Sequence, residues 1–472
     1  MALHPSRLIA LGVGKGTRAL LRHSGRGGTS LPGLVAQRID PRLTGELAQG
    51  ISNGSLLITG TNGKTTSTRM IAAALRGAGL LPITNREGSN MLRGVTTALL
   101  AEASWRGGLP DAGNRIGLFE VDEGHLPRVI AELAPRMILI TNLCRDQLDR
   151  YFEVDFVASL WATALQRLPA TTTLILNADD PLVAYLGESV PNPVLYYGLE
   201  DVRWGRPQLQ HSADSRRCPR CMSDLEYSLS FYAHLGHYAC VACGWHRPTP
   251  RLSAWHVEVG GFDGSTIKLQ TPWGPQTLEV PLPGLFNAYN AIAAAATAYS
   301  LGVEPAVVRA AVGSVAGAFG RLESFAVDGR RVLLALVKNP SSFDQVTEVL
   351  LRKRNALRLV LALNDNTQDS RDVSWIWDAG FEQLRGRLEW VIASGHRAAD
   401  LAVRLKYASA LDGLASNPGG LSIIPALRQA ADQALRRTPP GEELTIITTY
   451  TAMWALRAAF VRRGHLRPFW QT

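Results

Sequence analysis

A lysine followed by two threonines, set behind two glycines, is a residue set suited to holding phosphate. Gly60-Thr61-Asn62-Gly63-Lys64-Thr65-Thr66 follows the apolar run Ser55-Leu56-Leu57-Ile58-Thr59. It precedes Ser67 to Gly77, where Met70, Ile71, Ala74 and Leu75 fall on one helical face. Strand, loop and helix in that order make a phosphate loop: backbone N–H groups at the helix start point at the anion. Lys64 is expected to neutralise the β- and γ-phosphates, and the Thr65 hydroxyl to ligate Mg²⁺. The common eight-residue form needs glycine where Ile58 stands, so the loop is a variant. A turn that merely contains Gly-Lys-Thr is the plain alternative, and the flanking strand and helix argue against it.

A second constellation lies further on. Cys218-Pro219-Arg220-Cys221 and Cys240-Val241-Ala242-Cys243 form two Cys-x-x-Cys knuckles, eighteen residues apart. That spacing predicts a tetrahedral Cys₄ zinc ribbon, and two disulfides are a poor alternative in a cytosolic enzyme. Structural zinc of this kind contributes roughly 10–16 kcal/mol to local folding. Four thiolates close the shell, so the expected role is structural or in docking, not catalysis. His211, His234, His237 and His246 are nearby and are read as surface residues or as residues around the site, not ligands. Cys144, the fifth cysteine, is read as a small buried thiol in preference to a nucleophile.

The loop resembles the nucleotide loop of Mur ligases and folylpolyglutamate synthases. Four more motifs come in that family's order. Glu120-Val121-Asp122-Glu123 is similar to the acidic strand end whose first Glu binds Mg²⁺. Thr141-Asn142-Leu143 with Asp146-Gln147-Leu148-Asp149 resembles the next motif. Gly284-Leu285-Phe286-Asn287-Ala288-Tyr289-Asn290 resembles the adenine-side motif, bringing in Asn287 and Asn290. Gly320-Arg321-Leu322-Glu323 resembles the motif whose arginine, here Arg321, opens the last domain. Together they span about 260 residues. Two departures stand out: Gln147 replaces a histidine tied to a second metal, and Ala335 replaces the ribose-binding aspartate in Ala335-Leu336-Val337-Lys338-Asn339-Pro340.

The segment Asn364 to Asp378 adds an Asp-rich loop with Trp375 and Trp377 after an apolar strand; a capped turn with buried tryptophans is its plain alternative. With the cysteine knuckles, with Lys338-Asn339-Pro340, and with Gly27-Gly28-Thr29-Ser30-Leu31-Pro32-Gly33 near the start, it resembles the MurT family, the synthetase subunits of lipid II isoglutaminyl synthases. That resemblance implies ATP-dependent amidation of the D-isoglutamate α-carboxyl of lipid II, in peptidoglycan synthesis, with ammonia from a GatD-type glutaminase partner. Lys64, Thr65, Glu120 and Arg321 suit the transfer of a phosphoryl group to a carboxylate. It also implies that a C-terminal aspartate completes a Cys–His–Asp triad on the partner; Asp372 is the choice, with Asp369 and Asp378 as close rivals. Two other readings stay open: an amino-acid-adding Mur or folylpolyglutamate-type ligase, and a zinc-ribbon nucleic-acid-binding ATPase.

The elements that must position these residues follow from the whole chain. Its 472 residues suggest two or three domains, and 46% hydrophobic residues allow real cores. The fold class expected is α/β: residues 1–54 as an N-terminal segment packed on a Mur-type P-loop central domain at 55–315, a ribbon inserted at about 205–250, and a C-terminal Rossmann-like domain at 320–472. A short amphipathic helix and a turn-rich stretch are expected before Gly54. Strands are expected at 116–121, 137–141, 173–177, within 251–283, and at 332–336, 357–363, 388–394 and 444–449, with an Ala-rich helix at 287–301 and a Gly-rich hinge at 315–320. The net charge of +9 favours anionic partners such as nucleotides or a membrane face. Nucleic acid is not expected, because the basic residues form no aromatic-interleaved stripe. No secretory signal or spanning segment stands out, so the expected place is the cytoplasm, with Arg7, Lys15, Arg18, Arg22 and Arg26 able to meet the inner face of the membrane.

Overall fold

The computed structural model describes residues 5–23, 30–85, 89–145, 154–210, 213–260, 264–315, 322–353, 356–414 and 419–467. Within them two large sheets carry the molecule. The first has nine strands in the order β11-β10-β9-β6-β5-β4-β1-β3-β2. Its parallel part comprises β1 (Ser55–Thr59), β2 (Leu81–Thr84), β3 (Arg115–Glu120), β4 (Met137–Ile140), β5 (Thr173–Asn177), β6 (Val194–Leu199) and β9 (Leu252–Val259). β10 (Ser265–Gln270) and β11 (Gln276–Val280) add an antiparallel edge. All five residues of β1 are buried, as expected of a central parallel strand covered on both faces. The chain leaves β1 with β3 on one side and β4 on the other. That reversal opens a crevice at the carboxyl end of β1, where open α/β sheets bind ligands.

Helices α4 (Lys64–Gly77), α5 (Leu92–Glu102), α6 (Leu126–Leu133), α7 (Val154–Leu165), α8 (Pro181–Leu186), α9 (Leu285–Ser300) and α10 (Pro305–Ser314) accompany this sheet. α4 begins three residues before the expected start, because Lys64, Thr65 and Thr66 show no apolar period. Every residue of α9 from Asn287 to Tyr299 is buried, and its run of alanines allows close approach to α4 and the strands. The stretch before Gly54 differs from expectation. It holds three helices, α1 (Pro5–His23), α2 (Leu31–Ile39) and α3 (Leu43–Ala48), not one short helix and turns. Glycines and prolines obscured the pattern: Pro32 sits in the first turn of α2, where its missing N–H costs nothing. Ala10, Leu11, Ala36, Leu43 and Leu47 share a core with Leu57, Phe119 and Ile138 of the sheet.

The second sheet has the order β12-β13-β17-β14-β15-β16. β13 (Arg330–Leu336), β14 (Leu357–Ala362), β15 (Leu388–Ser394), β16 (Leu421–Ile423) and β17 (Glu443–Thr448) are parallel, and β12 (Glu323–Val327) pairs antiparallel to β13. α11 (Pro340–Lys353), α12 (Ala398–Tyr407), α13 (Leu427–Arg437) and α14 (Tyr450–Arg462) complete it. The short β12 and β16 were absent from the expected strands. Two cores, one led by Phe343 and Phe381 and one by Trp390 and Phe460, lie on its two faces.

The cysteine module is separate from both sheets. β7 (Glu226–Tyr232) and β8 (Leu235–Ala239) form a two-stranded antiparallel hairpin between the knuckles. Its aromatic residues tie it to the first sheet. Tyr238 Oη donates to Ala178 O at 2.9 Å, and Trp245 meets Tyr185 edge-on at 5.7 Å. Arg247 Nε reaches Asp179 Oδ1 at 2.6 Å, and its Nη1 reaches Glu200 Oε1 at 2.8 Å.

Candidate functional site: the phosphate loop, the cysteine ribbon and the carboxylate loop

The loop after β1 needs both glycines. Gly60 and Gly63 have φ of +124° and +91°, conformations that side-chain-bearing residues rarely adopt. A Cβ at Gly63 would stand 2.0 Å from Asn290 Oδ1, so the asparagine motif of α9 presses on the phosphate loop. Asn287 supports it: its Nδ2 donates to Pro283 O at 2.7 Å, and its Oδ1 accepts from Asn290 Nδ2 at 3.2 Å. The first half of the loop is braced by the strand end after β4. Asn142 Oδ1 accepts from Asn62 N at 3.0 Å, Asn142 Nδ2 donates to Asn62 O at 3.0 Å, and Thr61 Oγ1 accepts from Cys144 N at 2.9 Å. Lys64, Thr65 and Thr66 form the first turn of α4, whose N–H groups have no acceptor within the helix.

Around this loop the acidic strand end converges. Thr65 Oγ1 donates to Glu120 Oε2 at 2.9 Å, so the two groups expected on Mg²⁺ already face each other. Lys64 is buried, and its Nζ forms an ion pair with Glu123 Oε1 at 2.7 Å. Burial alone would lower the Lys64 pKa, but the charges of Glu123, Glu120 and Asp122 outweigh it and hold the ammonium above its ordinary value.

Three contributors had no role assigned by the motifs. Glu123 lies in the acidic strand end and Lys338 in the Lys338-Asn339-Pro340 run, but neither motif gave them a partner. Asn85, one residue past β2, places Glu120: its Oδ1 accepts from Glu120 N at 2.9 Å and its Nδ2 donates to Glu120 O at 2.8 Å. Its position just beyond a strand end was the available signal. Lys338, after β13, reaches across from the second sheet and donates to Thr61 O at 3.1 Å. It lines a cleft with Asn62, Gly63, Asn290, Tyr232, Phe286 and Gln345, so both sheets wall the space beside the loop. Ala335 is buried inside β13 and offers no polar group there. Arg321, Gln147 and the rest of the Asp146–Asp149 motif, Gly27–Thr29, His211 and most of the 315–320 hinge lie outside the described residues.

The four knuckle cysteines come together. Their sulfurs lie within 4.8 Å of one another, with Cys218–Cys243 at 3.7 Å and Cys221–Cys240 at 3.5 Å. A tetrahedron of about 2.3 Å Zn–S bonds has edges of about 3.8 Å, so the donor set could bind zinc. The knuckles match: Met222 N donates to Cys218 O and Gly244 N to Cys240 O, and both residues have positive φ, +63° and +73°.

His234 is fully buried, which excludes the surface position, one of the two expected for it. Its Nε2 lies 3.2 Å from Asp180 Oδ2, yet neither ring nitrogen is aligned for a hydrogen bond, so the contact is electrostatic. Burial would depress its pKa, but the charges of Asp180 and Asp214 overcome this and raise it. Asp214 in turn accepts from Arg145 N at 2.8 Å and pairs with the Arg145 guanidinium. Cys144, buried as expected, lies with Asp214 and His234 in this network between ribbon and phosphate loop.

After β14 the carboxylates separate by environment. Asp369 is buried and accepts from Thr451 N at 2.7 Å. Asp378 is half-buried and 3.4 Å from Arg145 Nη1. Asp372 is exposed, and its Oδ1 accepts from Ser374 N at 2.8 Å. No cation pairs with Asp372 among the described residues. Trp377 is 48% exposed, so it is not the core residue that the plain reading of this loop required.

Comparison with known proteins agrees with this arrangement. Residues 58–234 match the Mur ligase middle domain, and residues 336–453 match the MurT ligase C-terminal domain. The chain is 32% identical over 463 residues to the lipid II isoglutaminyl synthase (glutamine-hydrolyzing) subunit MurT of Streptococcus pneumoniae, covering 97% of this chain and 98% of that one. It belongs to the MurT family. The MurT subunit of Staphylococcus aureus is 33% identical over 400 residues, covering 84% and 87%. Among solved structures, the pseudomurein peptide ligase type C of Methanothermus fervidus shares the fold, with a TM-score of 0.64 at 21% identity over 88% of this chain and 79% of that one. MurT relatives thus share the length of the chain, while the Mur fold extends to ligases of quite different sequence. Among the described residues no helix is long and apolar enough to cross a membrane.

Proposed function

We propose that this chain is the synthetase subunit of a lipid II isoglutaminyl synthase, amidating the D-isoglutamate α-carboxyl with ammonia from a glutaminase partner. The observation that carries the reading is the identity to a MurT subunit along nearly the whole chain. The site supports the chemistry. A carboxylate is a poor electrophile; its oxygen attacks the γ-phosphorus of ATP, giving an acyl phosphate and ADP. Ammonia then attacks the acyl carbon, phosphate leaves, and the amide remains. Gly60 to Thr66 hold the phosphates, and Lys64 leaves Glu123 to neutralise the charge that develops on the transferring group. Thr65 and Glu120 would hold Mg²⁺, which supplies further neutralisation. Asn287 and Asn290 brace the loop on the nucleoside side, and Arg321 acts from the start of the C-terminal domain.

In this reading residues 1–54 pack on a central domain of 55–315, and 320–472 form the C-terminal domain. Cys218, Cys221, Cys240 and Cys243 hold zinc, which keeps the ribbon folded. Asp372 completes a triad with a Cys and a His of the GatD-type partner, orienting the imidazole and stabilising its cation. Its exposure supports it over Asp369, which is spent inside the fold on Thr451. The enzyme works in the cytoplasm, at the inner face of the membrane that carries its substrate. Co-purification with a GatD-type glutaminase, followed by ATP-dependent amidation of lipid II with glutamine or ammonia, tests the proposal. Transfer of an amino acid instead of ammonia would overturn it.

A further inference from the structure

Helix α1 is amphipathic in an unusual sense, because its outward face is apolar. Ala10, Leu11 and Gly14 are buried, and a Cβ at Gly14 would meet Leu100 Cδ1 at 2.9 Å and Ala36 Cβ at 3.2 Å. That side is seated on α2 and α5. On the other side Leu8, Ile9, Val13 and Leu20 are 44%, 56%, 41% and 74% exposed. Ile9, Val13, Gly16 and Leu20 recur at four, three and four residues, one stripe of a helix. No heavy atom lies within 4 Å of where a side chain would begin at Gly12 or Gly16. The stripe is therefore open among the described residues, and it holds no charged or hydrogen-bonding side chain from Ile9 to Leu20. An isolated exposed leucine needs no explanation, but a continuous uncharged face over three turns does.

The surroundings select the occupant. α1 contains Arg7, Lys15, Arg18, Arg22 and His23 and no acid. Arg7 pairs with Glu46 at 3.3 Å and Lys15 Nζ donates to Leu100 O at 2.9 Å, so both are held against the fold. Arg22 and His23 are exposed at its end. Beside it Trp105 is 68% exposed and lies under the Lys15 ammonium, 5.5 Å from the ring centroid, with Arg106 exposed next to it. An aliphatic stripe that ends at exposed basic residues is the composition of helices that lie in the headgroup layer of anionic membranes. We infer that the α1 face Ile9–Val13–Gly16–Leu20 docks the protein on an anionic phospholipid surface. The inference stands independently of the amidation reading.

The test is flotation of the full chain, alone and with its glutaminase partner, with vesicles of phosphatidylglycerol and phosphatidylcholine or of phosphatidylcholine alone. Neither vesicle contains lipid II, so the outcome does not depend on the enzyme's substrate. The wild type should float with the anionic vesicles and much less with the neutral ones. Ile9→Glu with Leu20→Glu should reduce flotation roughly tenfold or more, with an unchanged unfolding midpoint. Gly16→Leu, placed in open space, should increase it several-fold. Failure of the wild type to float, equal flotation of the double glutamate variant, or no gain in Gly16→Leu would each overturn the inference. If the double variant instead loses the glutaminase on size exclusion, the face is a protein interface and the lipid assignment is wrong.

Discussion

The phosphate loop and the carboxylate loop both follow the carboxyl end of a parallel strand, yet they are built on opposite terms. Around Lys64 the groups are held by one another within the chain: Glu123 pairs with the ammonium, Glu120 accepts from Thr65, and Asn85 and Asn142 fix the backbone. Around Asp372 the neighbouring acids Asp369 and Asp378 have partners, while this carboxylate faces solvent with no cation paired to it among the described residues. A site that receives a small ligand from solution can be preassembled, with acids occupying the cation until phosphate displaces them. A site that another subunit completes must leave a group uncovered. On the proposed reading, the difference shows how one chain would divide the reaction: it holds the nucleotide itself and lends a single acid.

The sharpest break in that comparison is Lys64→Ala. It should lower amidation by roughly 10³ to 10⁵-fold whether ammonia or glutamine is the nitrogen source, measured by product formation from lipid II. Asp372→Asn should act on one side only. Glutamine-driven amidation should fall by roughly 10² to 10⁴-fold, while ammonia-driven amidation stays within about twofold. Equal losses from both sources would place Asp372 in the synthetase chemistry and erase the distinction drawn here; Asp369→Asn, by contrast, should lower the unfolding midpoint and depress both activities together.

Smaller effects probe the ribbon that lies between the two loops. Cys240→Ser should abolish stoichiometric zinc in metal analysis and lower the unfolding midpoint by about 5–10 °C. His234→Gln tests the network of Asp180, Asp214 and Arg145. Because the folded state raises the His234 pKa above its ordinary 6.5, its stabilisation is whole below that value and fades as pH rises through the folded one. The variant should therefore be less stable than wild type by about 1–3 kcal/mol at acidic pH, and the gap should narrow as pH rises in denaturant titrations. A gap that widens with pH would show that the imidazole is neutral in the fold.

Much of this was legible in the chain. Ser55 to Thr59 reads as a buried strand because leucine and isoleucine fill it without alternation, and Gly60 to Lys64 needs glycine where φ turns positive. The N-terminal helices were harder to see: Gly12, Gly14 and Gly16 weaken the helical pattern of α1, and its apolar residues point both inward and outward. α4 began early because its first turn is selected for phosphate, not for packing. The choice between a surface His234 and one packed around the site stayed open, since nothing local reveals that Asp180, 54 residues earlier, lies against it.

By itself the sequence determined the chemistry that short spacings encode: a phosphate loop, paired knuckles, and strands that end in polar residues. Those features depend on backbone geometry within a few residues, so residue type and order suffice. Only the tertiary structure decided what becomes of identical groups. Asp369 and Asp372 are the same carboxylate three residues apart, and Thr451, from the start of α14, claims one and leaves the other to solvent. Glu123, Asn85 and Lys338 meet the phosphate loop from three separate parts of the chain. Burial and pairing are set by what long-range packing brings alongside, and no local pattern carries that information.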